Sequence, residues 1–226
     1  MTKYMDTEII PRRILAKKNR ALSIDKTVKI GGESYSFKRV KVREDGVSII
    51  IPEQFAKMSE AAAKEKYATD YRPQRIFTNH NGTVNIAFSL SEDSLEKSQI
   101  KEMATEFKTA IKSKNPANVF ITQKTEILGN TKIGYFDFKG YGVDQNLYSL
   151  IFITSIKGNM LFGVFNCAFD IYRDWKRLAV QMILSIREIA DDDVDEDVGK
   201  ELSDNGKTDS PRNRNKRNYS FSGDFA

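Results

Sequence analysis

The sequence predicts an α+β fold, a three-layer α-β-α sandwich built on a mainly antiparallel sheet of about six to eight strands with three main helices. Three observations carry this. Four strand-like segments follow one another between Val119 and Phe169, joined by turns too short for parallel crossovers. Those strands are apolar at odd and even positions alike, in Tyr135-Phe136-Asp137-Phe138, Tyr148 to Ile153 and Leu161 to Phe165, so neither face of the sheet can be left to water. Three stretches with helical character are on hand to cover the two faces.

The elements follow in chain order. Residues 1–34 read as an N-terminal extension broken by Pro11 and Gly31-Gly32, with scattered apolar residues sufficient for one or two short segments lying on the domain or on a partner. The domain itself spans 35–190. Tyr35 to Val42 and Val47 to Ile51 form a hairpin about the Glu44-Asp45-Gly46 turn. Pro52 stops the second strand and leads into a helix over Glu53 to Tyr67, a stretch rich in Ala, Glu, Lys and Met. Arg75 to Thr78 and Thr83 to Leu90 pair across Asn79-His80-Asn81-Gly82. Capping residues Ser91 to Ser94 precede a second helix, in which Ile100, Met103, Ala104, Phe107 and Ile111 make one apolar stripe, closed by Asn115-Pro116. The four-strand meander comes next. Asp170 is placed to cap a last helix striped by Ile171, Trp175, Leu178, Ala179, Met182, Ile186 and Ile189. Residues 191–226 have the polar, charged composition of a disordered tail.

Charge and composition narrow the function classes. The net charge of +5 divides into +4 over residues 1–34, a mildly basic +5 spread along 35–190 and −4 over 191–226, and the Lys/Arg clusters Arg12-Arg13, Lys17-Lys18-Asn19-Arg20 and Arg212 to Arg217 lie in the extensions. Nucleic acid is therefore not the expected partner. No apolar run reaches the ~20 residues of a membrane-spanning helix. The first residues lack the charge and hydropathy pattern of a secretory signal, so a cytoplasmic location is expected.

The chemistry-bearing residues do not assemble into a catalytic motif. Cys167 and His80 are the single cysteine and histidine; Cys167 sits in an apolar strand and His80 in a turn, so neither a zinc set nor a Cys–His nucleophile pair is expected. Asp193, Asp195, Asp197 and Asp204 match positions of a calcium loop, but Val198 stands where the sharp turn needs glycine. Gly31-Gly32 lacks the Lys-Ser/Thr of a phosphate-binding loop. No enzymatic activity, cofactor or metal is expected. The one pattern with binding character is the face Tyr135, Asp137, Lys139, Tyr141, which mixes aromatic and charged groups as interface anchors do.

The order hairpin, IPEQFAKMS, RIFTNHNGTVNIAFSL hairpin, helix, meander and FNCAFDIYRDWKRLAVQMILSI resembles the PsbP-like superfamily, more closely its bacterial DcrB-like branch, over about residues 35–190. The resemblance rests most on the strand through Phe165-Asn166-Cys167 that enters a helix bearing Trp175. It implies an α-β-α sandwich in a family of non-catalytic binding proteins: photosystem extrinsic subunits, a Ran-binding import factor and adaptor chaperones of secreted effectors. It brings no catalytic residues. The expected function is a non-enzymatic protein-binding module, a bacterial cytosolic adaptor or secretion-effector chaperone whose partner is another protein, with homo-oligomers allowed. The alternative is a structural subunit that joins a larger assembly through its extensions.

Overall fold

The structure is a computed structural model that describes residues 22–43, 46–67, 72–142 and 144–189. Both extensions' basic clusters, the 193–204 acidic run and the tail from 191 lie outside the described residues. The core of the molecule is a seven-stranded antiparallel sheet. In spatial order its strands are β5 (Ala56–Lys57), β6 (Arg75–Thr78), β7 (Asn85–Ser94), β11 (Asn159–Ala168), β10 (Asn146–Ile156), β9 (Thr131–Tyr141) and β8 (Val119–Leu128). The last four form the expected meander, in register from Leu147 opposite Ala168 and Asn146 opposite Tyr141. Helix α2 (Ile100–Lys114) carries the chain from β7 to the far edge, and the meander then returns to set β11 beside β7.

Alternation along the strands sends bulky side chains both ways, and both faces are covered. Leu150, Phe152, Phe165 and Tyr135 pack beneath helix α3 (Tyr172–Leu184), where Trp175, Leu178, Ala179, Met182 and Ile183 are buried. Phe136, Phe138, Ile151 and Val164 point to the opposite face, covered by α2 and by helix α1 (Glu60–Lys66). Each such side chain contributes roughly 1.5–3 kcal/mol by leaving water. Two glycines permit close approaches, one between layers and one within the sheet. A Cβ at Gly134 would stand 3.0 Å from the Ile100 carbonyl oxygen and the Ala104 methyl, so α2 rests almost on the backbone of β9. At Gly163 the added carbon would strike the ring of Phe152, its cross-strand partner on β10, and the Ala87 carbonyl oxygen on β7.

The layer above α3's side of the sheet is not helix alone. The hairpin β3 (Phe37–Arg43) and β4 (Val47–Pro52) forms as expected, yet it stands in a separate three-stranded sheet with β12 (Arg187–Glu188), whose two residues carry too little pattern to read. Ser185 joins this sheet to the end of α3: its hydroxyl accepts from Ile50 N at 2.8 Å, and Arg39 donates to its carbonyl at 3.0 Å. Part of the segment read as an extension is integral. Strands β1 (Val28–Ile30) and β2 (Glu33–Tyr35) form a hairpin whose Val28, Ile30 and Tyr35 are buried in the α3 core. Leu22 is buried there too, its carbonyl accepting from Arg177 at 2.9 Å and Gln181 at 3.1 Å.

Three local expectations are corrected. The helix over Glu53 to Tyr67 is only α1, capped by the Ser59 hydroxyl, while Ala56–Lys57 forms edge strand β5. Phe55 packs in the α3 core, whereas Met58, Ala63 and Tyr67 belong to the opposite face. The chain must pass round the edge of the sheet between them, which one helix cannot do. Strand β7 runs on through Ser91 to Ser94, so these residues cap nothing. Asp170 is not the cap of α3 either: Ile171 holds that position and no side chain caps the helix.

Candidate interaction surface

Strand β9 brings the four residues of the mixed face to one side of the sheet but at different depths. Tyr135 and Asp137 are 3% and 1% exposed, under α3; Lys139 and Tyr141 reach the rim, with Tyr141 49% exposed. Alternation alone groups these side chains; the length of α3 above them decides which two meet solvent.

The inner pair anchors a buried polar cluster. Asp137 Oδ2 lies 2.5 Å from the Lys176 ammonium and accepts from the Tyr148 hydroxyl at 2.8 Å. Lys176, from the first turns of α3, also donates to the Thr122 hydroxyl on β8 at 2.9 Å. The other carboxylate oxygen, Oδ1, is buried with no hydrogen-bond partner among the described residues. Tyr135 donates to Glu126 at 2.6 Å. This arrangement ties α3 to β8, β9 and β10.

Burial first, and then the Asp137 charge and hydrogen bond, push the Tyr148 hydroxyl far above the ordinary tyrosine value. Burial and then Glu126 do the same for Tyr135; burial with Glu33 pushes Tyr35 up to about 12. A raised value in the folded state means the folded protein holds its proton after the unfolded chain has lost it. The stability from these groups is thus complete below about pH 10 and falls as pH rises beyond it. Tyr148 alone is expected to remove about 1.4 kcal/mol per pH unit above that point. Urea unfolding between about pH 8 and 11 checks this, and Tyr148→Phe, although less stable at pH 8, is expected to show a shallower alkaline decline.

The outer pair belongs to an exposed rim. The Lys139 ammonium sits 4.5 Å from the Tyr141 ring and 4.8 Å from the Phe169 ring, a double cation–π contact. Phe169 stacks on Tyr172 at 4.5 Å, and Tyr172 stacks on Tyr148 at 5.2 Å. On β8, Val119 lies opposite Lys139, and Val119 and Ile121 are 51% and 43% exposed. The sequence reading missed Val119, Ile121, Phe169, Tyr172 and Lys176. The run Phe169 to Lys176 holds three aromatics and two cations at a strand-to-helix junction, a signal that could have found three of the five.

The remaining chemistry-bearing residues are apart from this rim. Cys167 is fully buried on β11, burial and then the Asp170 charge pushing its thiol well up, while His80 is exposed at the β6–β7 turn. A concavity of about 420 Å³ lies at the other end of the sheet, lined by Lys97, Leu128, Asn130, Ser155, Arg187 and Glu188 among others. Glu188 there accepts from the Lys157 backbone N–H at 2.9 Å. No group of three or more metal-ligating side chains occurs among the described residues, and no helix of the described residues is long and apolar enough to cross a membrane.

This chain's seven-stranded antiparallel sheet carries helices on both faces, with α3 following the last meander strand. The solution structure of cyanobacterial PsbP (CyanoP) from Synechocystis sp. matches with a TM-score of 0.50 at 15% identity, covering 71% of this chain and 97% of that one. LpqN of Mycobacterium tuberculosis, involved in cell envelope biogenesis, matches at 0.47 and 11% identity over 69% of this chain and 92% of its own. The immunity protein TplEi of the Pseudomonas aeruginosa T6SS matches at 0.37 and 11% identity over 81% of this chain and 84% of its own. No protein-family model and no curated protein matches the sequence. The chain has a PsbP-like fold.

Proposed function

We propose that this protein is a non-enzymatic protein-binding module of the DcrB-like kind, working as a bacterial cytosolic adaptor or secretion-effector chaperone. The observation that carries the reading is the rim itself. Val119, Ile121 and Tyr141 expose large apolar surface beside Lys139, which is held between two aromatic rings. Aromatic and long cationic side chains on a rigid scaffold make effective interface anchors, because little side-chain freedom is lost when a partner arrives. The buried Asp137–Lys176–Tyr148 cluster supplies that rigidity from below. An acidic and apolar protein segment fits the rim's chemistry.

The test is a comparison of two baits in native-cell lysate: the full chain, and the full chain with Val119→Ser and Tyr141→Ala. A protein recovered with the first and depleted at least about tenfold with the second supports the reading, since two anchor residues removed together cost a hot-spot's worth of affinity. Equal recovery with both baits, or none with either, overturns it. Recovery that instead depends on residues 1–21 or 190–226 favours the assembly-subunit reading.

A further inference from the structure

The seven-stranded sheet has two edges of very different character. At one, β5 is only Ala56–Lys57; at the other, β8 runs for ten residues with β9 on one side and no strand on the other among the described residues. Such an edge presents a row of backbone donors and acceptors to any extended strand. Its outward side chains are not uniformly charged: Ile127 and Leu128 are 70% and 54% exposed. A register shift between Phe120 and Thr122 interrupts the β8 ladder and leaves Thr122 to Leu128 as its regular part.

We propose that β8 is a homodimer edge. Two copies pair antiparallel through Thr122 to Leu128 about a two-fold axis at Thr125, so that Lys124 of each copy faces Glu126 of the partner subunit. The symmetry makes the choice of register short. Residues facing each other across an antiparallel pair must project on the same side of the sheet, so the axis has to pass through a residue. An axis at Lys124 sets two ammonium groups opposite each other, which is destabilising. An axis at Gln123 draws the irregular stretch around Ile121 into the pairing. The axis at Thr125 uses the regular stretch in full and makes the Lys124–Glu126 pair twice. Lys124 is exposed and no contact of it is described, while the Glu126 carboxylate is held in place by Tyr135.

The same register covers the exposed apolar end. Ile127 lies opposite Gln123 of the partner subunit, and Leu128 opposite Thr122 of the partner subunit. The helices leave room for it. Helix α2 lies over β9 and β10 more than over β8. Its axis would stand about three strand spacings, roughly 14 Å, from that of its copy, more than the 8–10 Å of packed helices. Val119 and Ile121 fall outside the pairing, so the partner-binding rim stays available and the two inferences stand or fall separately.

The contact is a single strand pair, and the dimer is a weak, concentration-dependent one. Sedimentation equilibrium of the full chain up to about 1 mM is expected to show it. Lys124→Glu is expected to weaken association at least about tenfold, and Lys124→Glu combined with Glu126→Lys to restore it, because the swap rebuilds both opposite-charge pairs. Since Glu126 also receives Tyr135, circular dichroism verifies the fold of that double variant, and a second arm avoids the carboxylate altogether. Thr125→Cys is expected to cross-link two chains under mild oxidation, whereas Gln123→Cys, off the axis, is not; the native Cys167 is fully buried and does not compete. A monomer at every concentration overturns the proposal, as it would if another part of this chain covered β8. So does a dimer indifferent to Lys124→Glu, or one that cross-links at position 123 and not at 125.

Discussion

Replacing Lys176 with methionine is expected to destabilise the protein by about 3 kcal/mol, the low end of the range for breaking a buried ion pair by removing one partner. Asp137 is 1% exposed, and its carboxylate would keep only the Tyr148 hydroxyl as a described partner. The low end applies because the Lys176 side chain retains 30% exposure and is not fully withdrawn from water. The loss comes from a stranded charge rather than from missing attraction. Adding Asp137→Asn to Lys176→Met is therefore expected to recover most of it, since the amide oxygen still accepts from Tyr148. Urea denaturation of the two single variants and the double variant yields the coupling directly. Additive losses would show that the pair does not act as a unit.

Trp175→Ala is expected to cost about 3–5 kcal/mol, the range for deleting a buried large aromatic. Trp175 is 1% exposed and touches three otherwise separate parts of the fold. Tyr35 of the N-terminal hairpin meets its ring edge-on at 5.1 Å, Phe55 of the chain leaving β4 lies at 5.9 Å, and Phe165 of the main sheet at 6.0 Å. Few single substitutions would open a cavity shared by so many elements, and partial collapse around it is hindered because Tyr35 and Phe165 are each held in a backbone ladder. Thermal unfolding followed by far-ultraviolet circular dichroism checks the effect. A loss below about 1.5 kcal/mol would mean that the site repacks.

The layered architecture was legible because it follows from one physical constraint. Apolar side chains on both sides of β9, β10 and β11 require covers on both sides, and the stripes on α2 and α3 announce which segments supply them. The stretch after Pro52 was not legible, because Ala, Glu and Lys favour helix locally while Phe55 and Met58 are claimed by opposite faces of the sheet. Only the tertiary fold creates that conflict, and it wins over propensity. The integration of Leu22 to Tyr35 was half visible: the apolar residues were there, but what they lie against was not.

The site shows the same division. Alternation placed Tyr135, Asp137, Lys139 and Tyr141 on one face, yet nothing local to β9 says that α3 covers the first two and stops short of the others. Lys176 reads as a solvated helix residue beside Trp175, and its pairing with Asp137 exists only because α3 folds back over the sheet. The exposed ends of β8 were hidden because edge position is a property of the sheet order, which the sequence does not state.

Both ends of the described chain leave from one layer. Leu22 is fastened to Arg177 and Gln181 of α3, and Ile189 donates to the Gly46 carbonyl at 2.7 Å beside the small sheet. Leu22 and Ile189, the two ends of the described residues, are thus both fastened on the α3 side of the sheet, and the α1–α2 layer covers the other face. Fused directly before Leu22 or directly after Ile189, a tether would hold the described fold from the same side.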